Sequence, residues 1–191
     1  GTILESSFGT SGKSFRNYSD SSHYRLWSRM FESVGLGYSL PVAGISEVGS
    51  SIICRNHPIG RVHQSCIRGK WEEPCNKCWK CFRKNTLMSA LNDEEINNSC
   101  VEMIRKSKEV KLRLTKDKPI KHEGVLTFSL ERAPGGGDIV ESLRLLTRVG
   151  EINTDWMQYW YSESVDLIHP SYRKFTESLL IELLGAMDRE H

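Results

Sequence analysis

Read from its residues alone, the sequence predicts a zinc-stapled, helix-rich protein, and two observations carry that expectation. Four of the six cysteines fall within the sixteen residues from Cys66 to Cys81, spaced C-x8-C-x2-C-x2-C. Outside that stretch, apolar residues recur at helical spacing between clusters of Gly, Pro, Ser and Asp. The chain has 191 residues, 38% of them hydrophobic and 26% charged, enough for a real core and for one domain with an appendage. A net charge of +2 is too small to argue for nucleic acid on electrostatics alone. No apolar run reaches the length of a membrane span. Metal-type cysteines without a recognisable leader point to a reduced, cytoplasmic compartment. The chain opens Gly1-Thr2-Ile3-Leu4 with no initiator methionine, as expected of a processed product or a fragment.

The cysteine stretch reads Cys66-Ile67-Arg68-Gly69-Lys70-Trp71-Glu72-Glu73-Pro74-Cys75-Asn76-Lys77-Cys78-Trp79-Lys80-Cys81. Four thiolates converging at about 2.3 Å on one Zn²⁺ give a closed tetrahedral site of the structural kind. Cys66, Cys75, Cys78 and Cys81 are the expected ligands. The C-x2-C steps suit one ion because a tight turn brings both sulfurs round to it, and Pro74 and Asn76 are turn formers. Two disulfides are a competing reading, weakened by two further cysteines, Cys54 and Cys100, outside the cluster. An iron–sulfur cluster is another, but ferredoxin-like runs place the fourth cysteine downstream and before a proline, whereas here it lies upstream and Phe82 follows Cys81.

In chain order, residues 1–19 are rich in Ser and Gly and read as loop. Gly9-Thr10-Ser11-Gly12-Lys13-Ser14 only partly fits a phosphate loop, because Ser7 stands where glycine is needed and no apolar strand leads in. Asp20 or a neighbouring serine caps a helix to about Val34, with Tyr24, Trp27, Met30 and Phe31 as a core-facing stripe. Gly35 and Gly37 end it, Pro41-Val42-Ala43-Gly44 turns the chain, and Ser46 caps a second helix through Ile53. After Cys81, Phe82, Leu87, Met88 and Leu91 form a helical stripe, which places the last thiolate at a helix start, where the dipole favours an anion. Asp93 begins a further helix with Ile96, Cys100, Val101 and Ile104 inward, and Cys100 is a core residue. His57 and His63 are surface or hydrogen-bonded residues, since four cysteines already saturate a zinc.

Residues 106–121 form a basic run whose Val110-Lys111-Leu112-Arg113-Leu114 alternates like a strand. Its charges read first as a solvated face and second as a phosphate contact. Gly124 to Leu130 is a second strand candidate. Pro134-Gly135-Gly136-Gly137 breaks the chain and Asp138 caps a helix through Arg148. Trp156, Trp160 and Tyr161 follow, then a final amphipathic helix from Ser171 to about Met187 with Leu179, Leu180, Leu183 and Leu184 on its apolar face. No Ser/His/Asp order, HExxH pair or dinucleotide fingerprint occurs, so no catalytic residue is assigned.

The cysteine pattern, opened by Ser65-Cys66 and followed by Phe82-Arg83-Lys84, resembles the zinc site of the 7-cyano-7-deazaguanine synthase (QueC)-like family of the PP-loop superfamily. Upstream, Gly1-Thr2 stands where those proteins have a glycine-bearing turn after a strand. Tyr18-Ser19-Asp20-Ser21 is similar to their Tyr-Pro-Asp-Cys segment, and Leu40 to Val48 to their Pro-Leu segment. The resemblance implies an α/β fold: residues 1–91 as the C-terminal portion of a Rossmann-like sheet with flanking helices and a zinc knuckle at 66–81, and residues 92–191 as a mainly helical extension with a short strand pair. It implies ATP-dependent activation of a small-molecule carboxylate as an acyl-adenylate attacked by ammonia or an amine, with Tyr18, Ser19 and Asp20 near substrate. The Ser-Gly-Gly-x-Asp-Ser nucleotide loop of that family has no equivalent here, nor does its lysine near Ser46 and Glu47. ATP and Mg²⁺ are therefore expected only with a missing N-terminal segment or a second chain.

The competing expectation is a non-catalytic zinc knuckle that binds nucleic acid or a protein. Arg61, Arg68, Lys70, Lys77, Lys80, Arg83 and Lys84, with Trp71 and Trp79 interleaved, would form its stacking and phosphate surface. Glu72 and Glu73 in the same stretch count against it.

Overall fold

A computed structural model describes residues 18–187. The glycine- and serine-rich opening, with Gly1-Thr2 and the Gly9–Ser14 stretch, lies outside the described residues. Among the described residues the chain folds into eight α-helices joined by 3-10 turns, and its only β pairing is three isolated bridges. The expected α/β, Rossmann-like architecture is therefore overturned: no sheet forms among these residues, and both anticipated strands are helical. Val110 to Leu114 lies inside a helix because its burial follows i, i+4 rather than alternation; Val110 and Leu114 are buried and Leu112 is exposed. Gly124 to Leu130 also lies in a helix. That segment is buried on nearly every side, so it shows no periodicity, and a short continuous apolar run does not distinguish a strand from a buried helix.

The chain divides into two compact units. One comprises residues 1–53 and 155–191, the other residues 54–154.

In the first unit, α1 (Ser22–Glu32) is capped by the Ser21 hydroxyl, which accepts from the Tyr24 amide at 3.1 Å. The stripe expected to enter the core does not: α1 has no buried residue, and Trp27 and Met30 are exposed. Its aromatic groups instead contact one another and Tyr38, which stacks on Phe31 at 5.5 Å. α2 (Glu47–Asn56) starts after Ser46, whose hydroxyl accepts from the Gly49 amide and donates to the Met157 carbonyl. The fully buried Trp160 joins distant segments. It forms isolated bridges with Ile45 and Ala186, and packs with Leu180 and Leu184 of the terminal helix. Gly44 is required where the chain passes that junction, since a Cβ there would lie 1.9 Å from the Ser164 hydroxyl.

The second unit holds α3 (Trp79–Leu91), α4 (Asn98–Lys106), α5 (Lys108–Lys116), α6 (Glu123–Arg132) and α7 (Asp138–Leu146). Its core gathers Phe82, Leu87, Val110, Leu114, Leu126, Leu130 and Val140. Asp93 does not open α4; it adopts a left-handed turn at φ 56°, and Asn97 caps the helix through the Cys100 amide. Ser107 ends α4 and caps α5. The buried Glu123 at the start of α6 receives a two-point ion pair from Arg148, at 2.7 and 3.1 Å.

Candidate metal centre

The four clustered cysteines are brought together. Their sulfurs lie within 4.8 Å of one another, Cys66, Cys78 and Cys81 buried and Cys75 half-buried. Cys78 and Cys81 stand 3.6 Å apart and Cys75 and Cys81 3.8 Å apart. A tetrahedron of sulfurs about 2.3 Å from a central ion has edges of about 3.8 Å, so the spacing suits one ion. It is far beyond a disulfide bond of about 2.05 Å, and all six cysteines are free thiols.

Local rules shape the knuckle. Asn76, between the second and third ligands, is left-handed at φ 46°, a conformation its short polar side chain tolerates. Cys78 is the N-cap of α3, and its sulfur accepts from the Cys81 amide at 3.4 Å. The Cys75 amide donates likewise to the Cys66 sulfur at 3.4 Å. Gln64 ties the loop between the first two ligands. Its amide nitrogen donates to the Cys66 and Lys70 carbonyls at 3.0 and 2.8 Å, and its oxygen accepts from the Glu72 amide at 2.7 Å. Gly69 is obligatory in that loop, because a Cβ would lie 2.1 Å from the Glu73 carbonyl.

A second layer comes from α5. The Ser107 hydroxyl donates to the Lys77 carbonyl at 2.6 Å. Glu109 accepts from the Trp79 amide at 3.3 Å and pairs with Arg68 at 2.5 Å. The sequence marks Glu109 only indirectly, as one of two acids, with Asp117, in the basic run 106–121. Both meet an arginine, Asp117 pairing with Arg113 at 2.8 Å. Gln64 leaves no comparable trace, being a single polar residue outside any repeat.

Electrostatics separates the thiols. The Cys75 amide hydrogen bond outweighs burial and lowers the Cys66 thiol to about 6, so it is ionised at neutral pH. Burial pushes Cys81 up, and hydrogen bonds from the neighbouring sulfurs add to that. Cys100 is wholly buried in the core as expected, its thiol raised by burial to about 11.

Of the two tryptophans expected on a stacking surface, only Trp71 is exposed; Trp79 is buried against Phe82, ring centres 5.4 Å apart. Arg83 is buried too, while Lys70, Lys77 and Lys80 are exposed. Tyr18, Ser19 and Asp20 form one 3-10 turn in the other unit, where the Tyr18 hydroxyl bonds His23 at 2.6 Å.

Fold and site together define, among the described residues, a mainly helical protein with a knuckle whose four cysteines could hold one metal ion. No described helix is long and apolar enough to cross a membrane. The chain belongs to a family of unknown function, DUF6395, whose profile matches residues 26–191. No curated protein and no solved structure matches it.

Proposed function

We propose that the cysteine set holds a structural Zn²⁺ and that the knuckle it builds is a non-catalytic binding module for single-stranded nucleic acid. One observation carries this reading: four cysteine sulfurs close the site, and the loop between the first two displays an exposed Trp71 next to Lys70. Four cysteine sulfurs fill a tetrahedral ion completely, the pattern of structural rather than catalytic zinc. In a [4Fe–4S] cluster each cysteine holds its own iron and in a [2Fe–2S] cluster two cysteines share each of two irons, so the four sulfurs spread wider than a single-ion tetrahedron; the observed spacing favours the single ion. Lys70 and Lys77 are exposed in the same cysteine stretch as the exposed indole, a combination that suits a phosphate backbone with one base stacked on Trp71.

The test is metal analysis of the purified protein with fluorescence anisotropy on a labelled single-stranded oligonucleotide across a salt series. We expect one zinc per chain, binding that weakens with salt in proportion to the phosphates contacted, and a loss of about 1–3 kcal/mol for Trp71→Ala. Absence of binding at low salt would sink the reading.

A second reading, that the chain is the zinc-bearing part of an ATP-dependent carboxylate-activating enzyme, is favoured by the C-x8-C-x2-C-x2-C spacing. Its nucleotide loop would have to come from another segment or chain. ATP- and carboxylate-dependent release of pyrophosphate by the native protein would promote it over the first.

A further inference from the structure

A cleft of about 550 Å³ lies wholly within the unit of residues 1–53 and 155–191 and shares no residue with the cysteine site. One wall is α1, where Tyr24, Ser28 and Glu32 recur every four residues and so line a single face of the helix. Tyr38 adds a second aromatic wall, its ring centre 5.3 Å from that of Tyr24 and tilted 54° to it. Phe31 stacks on Tyr38 and fixes that ring. The remaining wall comes from residues 166–173, at the start of the terminal helix (Pro170–Leu184). There His169 sits against Gly37, where a Cβ would lie 2.1 Å from the imidazole.

The charges of this cleft do not cancel. Arg173, the one permanent cation among its described lining residues, pairs with Asp166 at 3.4 Å and donates to the Ile168 carbonyl at 3.4 Å. The His169 imidazole accepts from the Ser171 amide through Nδ1 at 3.3 Å, a role that requires that nitrogen to be unprotonated. Glu32 is left over. Among the described residues its carboxylate has no ion-pair partner, and the Tyr24 and Tyr38 hydroxyls have no hydrogen-bond partner. Glu32 is also the last residue of α1, the end at which the helix dipole opposes an anion. Burial, and then the acidic groups of Tyr38 and Glu32, raise the Tyr24 phenol above its ordinary range, so it stays neutral with its oxygen free to accept.

We propose that this cleft binds an organic ammonium group carried on a short aliphatic body. Glu32 supplies the opposite charge, the two phenol oxygens accept N–H bonds, and the tyrosine rings attract a cation through their faces. Leu36, Ile168 and Pro170 give the carbon chain an apolar wall. The volume falls in the range of small-molecule sites. An anion finds less here: the Arg173 guanidinium is engaged, and the Ser171 and Tyr172 amides at the start of the terminal helix bond to His169 itself. The proposal stands apart from the nucleic-acid reading, and either can fail without the other.

The experiment titrates the full, isotope-labelled chain with n-butylammonium, with 1-butanol and butyrate as neutral and anionic probes of similar shape, and with a capped glycine peptide bearing one central lysine. Backbone amide shifts report where and how tightly each probe binds. We expect butylammonium to shift the amides around Tyr24, Tyr38 and His169 and to bind about tenfold more tightly than 1-butanol, with butyrate weaker still. Glu32→Gln should erase the preference for the amine and leave butanol unchanged. The side chain is exposed and glutamine suits a helix, so the variant should keep its helical circular dichroism. Peptide binding as tight as that of butylammonium would uphold the site and assign it to a lysine side chain of a protein partner. Binding of the free amine alone would uphold it for a small molecule. Equal affinity for amine and alcohol, tighter binding of butyrate, a Glu32→Gln variant that holds the amine as the wild type does, or no binding of any probe would overturn the proposal.

Discussion

The two units of this chain are closed by different devices. Residues 54–154 are continuous in sequence, and their least regular part, the loop from Gln64 to Cys78, is held by thiols and by side chains from α3 and α5. The unit of residues 1–53 and 155–191 is discontinuous and is closed by backbone pairing and one large aromatic group. There the Ser46 hydroxyl reaches Met157, Ser39 accepts from the His169 amide at 3.0 Å, and Trp160 pairs with both Ile45 and Ala186. A loop without periodic apolar residues needs an external staple, whereas segments far apart in sequence can be joined by a residue that buries enough area. The first unit should therefore answer to packing and the second to metal.

The largest effect tests that contrast directly. Removing the ion with a chelator, or one ligand with Cys78→Ala, takes away binding energy that in small metal modules is on the order of 10 kcal/mol and is also folding energy. Hydrogen exchange should show protection lost from α3 and α5 and retained in α8 (Pro170–Leu184). Equal loss in both places would mean that the units fold as one, and the contrast would fall.

The reciprocal change is Trp160→Ala. Trp160 is fully buried and touches Ile45, Leu180 and Leu184, so truncation should cost about 3–5 kcal/mol. Zinc content, read by metal analysis on the same sample, should stay unchanged, because the ligands lie in the other unit. A loss of metal, or a cost below about 1 kcal/mol, would show that the aromatic group does not do for one unit what the ion does for the other.

The sequence displays these devices unequally. The cysteine cluster was legible to the residue, because four cysteines at such density with turn formers between them are brought together by local turns alone. Two caps were nearly as clear, with Ser21 and Ser46 where a hydroxyl is needed, whereas Asp138, expected as a cap, is the first residue of its helix and Gly137 precedes it without a side-chain cap. The fold class was not, because resemblance at the cysteines was extended into a sheet that nothing local required. Val110, Leu112 and Leu114 alternate by composition, yet the Ser107 cap and the i, i+4 burial of Val110 and Leu114 make the segment helical. The Trp160 junction was hidden because its partners lie more than a hundred residues upstream or beyond a terminal helix, and no local pattern reports such pairings.

The smallest effect sharpens how the staple is held. Partial burial opposes ionisation of Glu109, but the Arg68 guanidinium and the Trp79 amide outweigh it and hold the carboxyl below its ordinary range. A carboxylate with a depressed folded-state pKa stabilises the fold above the unfolded value, near 4.3, and loses that contribution as pH falls through the folded one. Glu109→Gln keeps an acceptor for the Trp79 amide and removes the charge. Arg68 is exposed and Glu109 only partly buried, so at pH 7 the melting temperature should fall by a few degrees at most. Below the carboxylate range the variant and wild type should converge, since the wild-type side chain is then neutral as well. Melting curves from pH 7 down to the lowest pH at which metal analysis still finds the ion bound read this out, the difference shrinking as the pH falls. A difference that persists undiminished in acid would assign the role of Glu109 to shape and hydrogen bonding instead of charge, and the clamp from α5 would then be a packing device like those of the other unit.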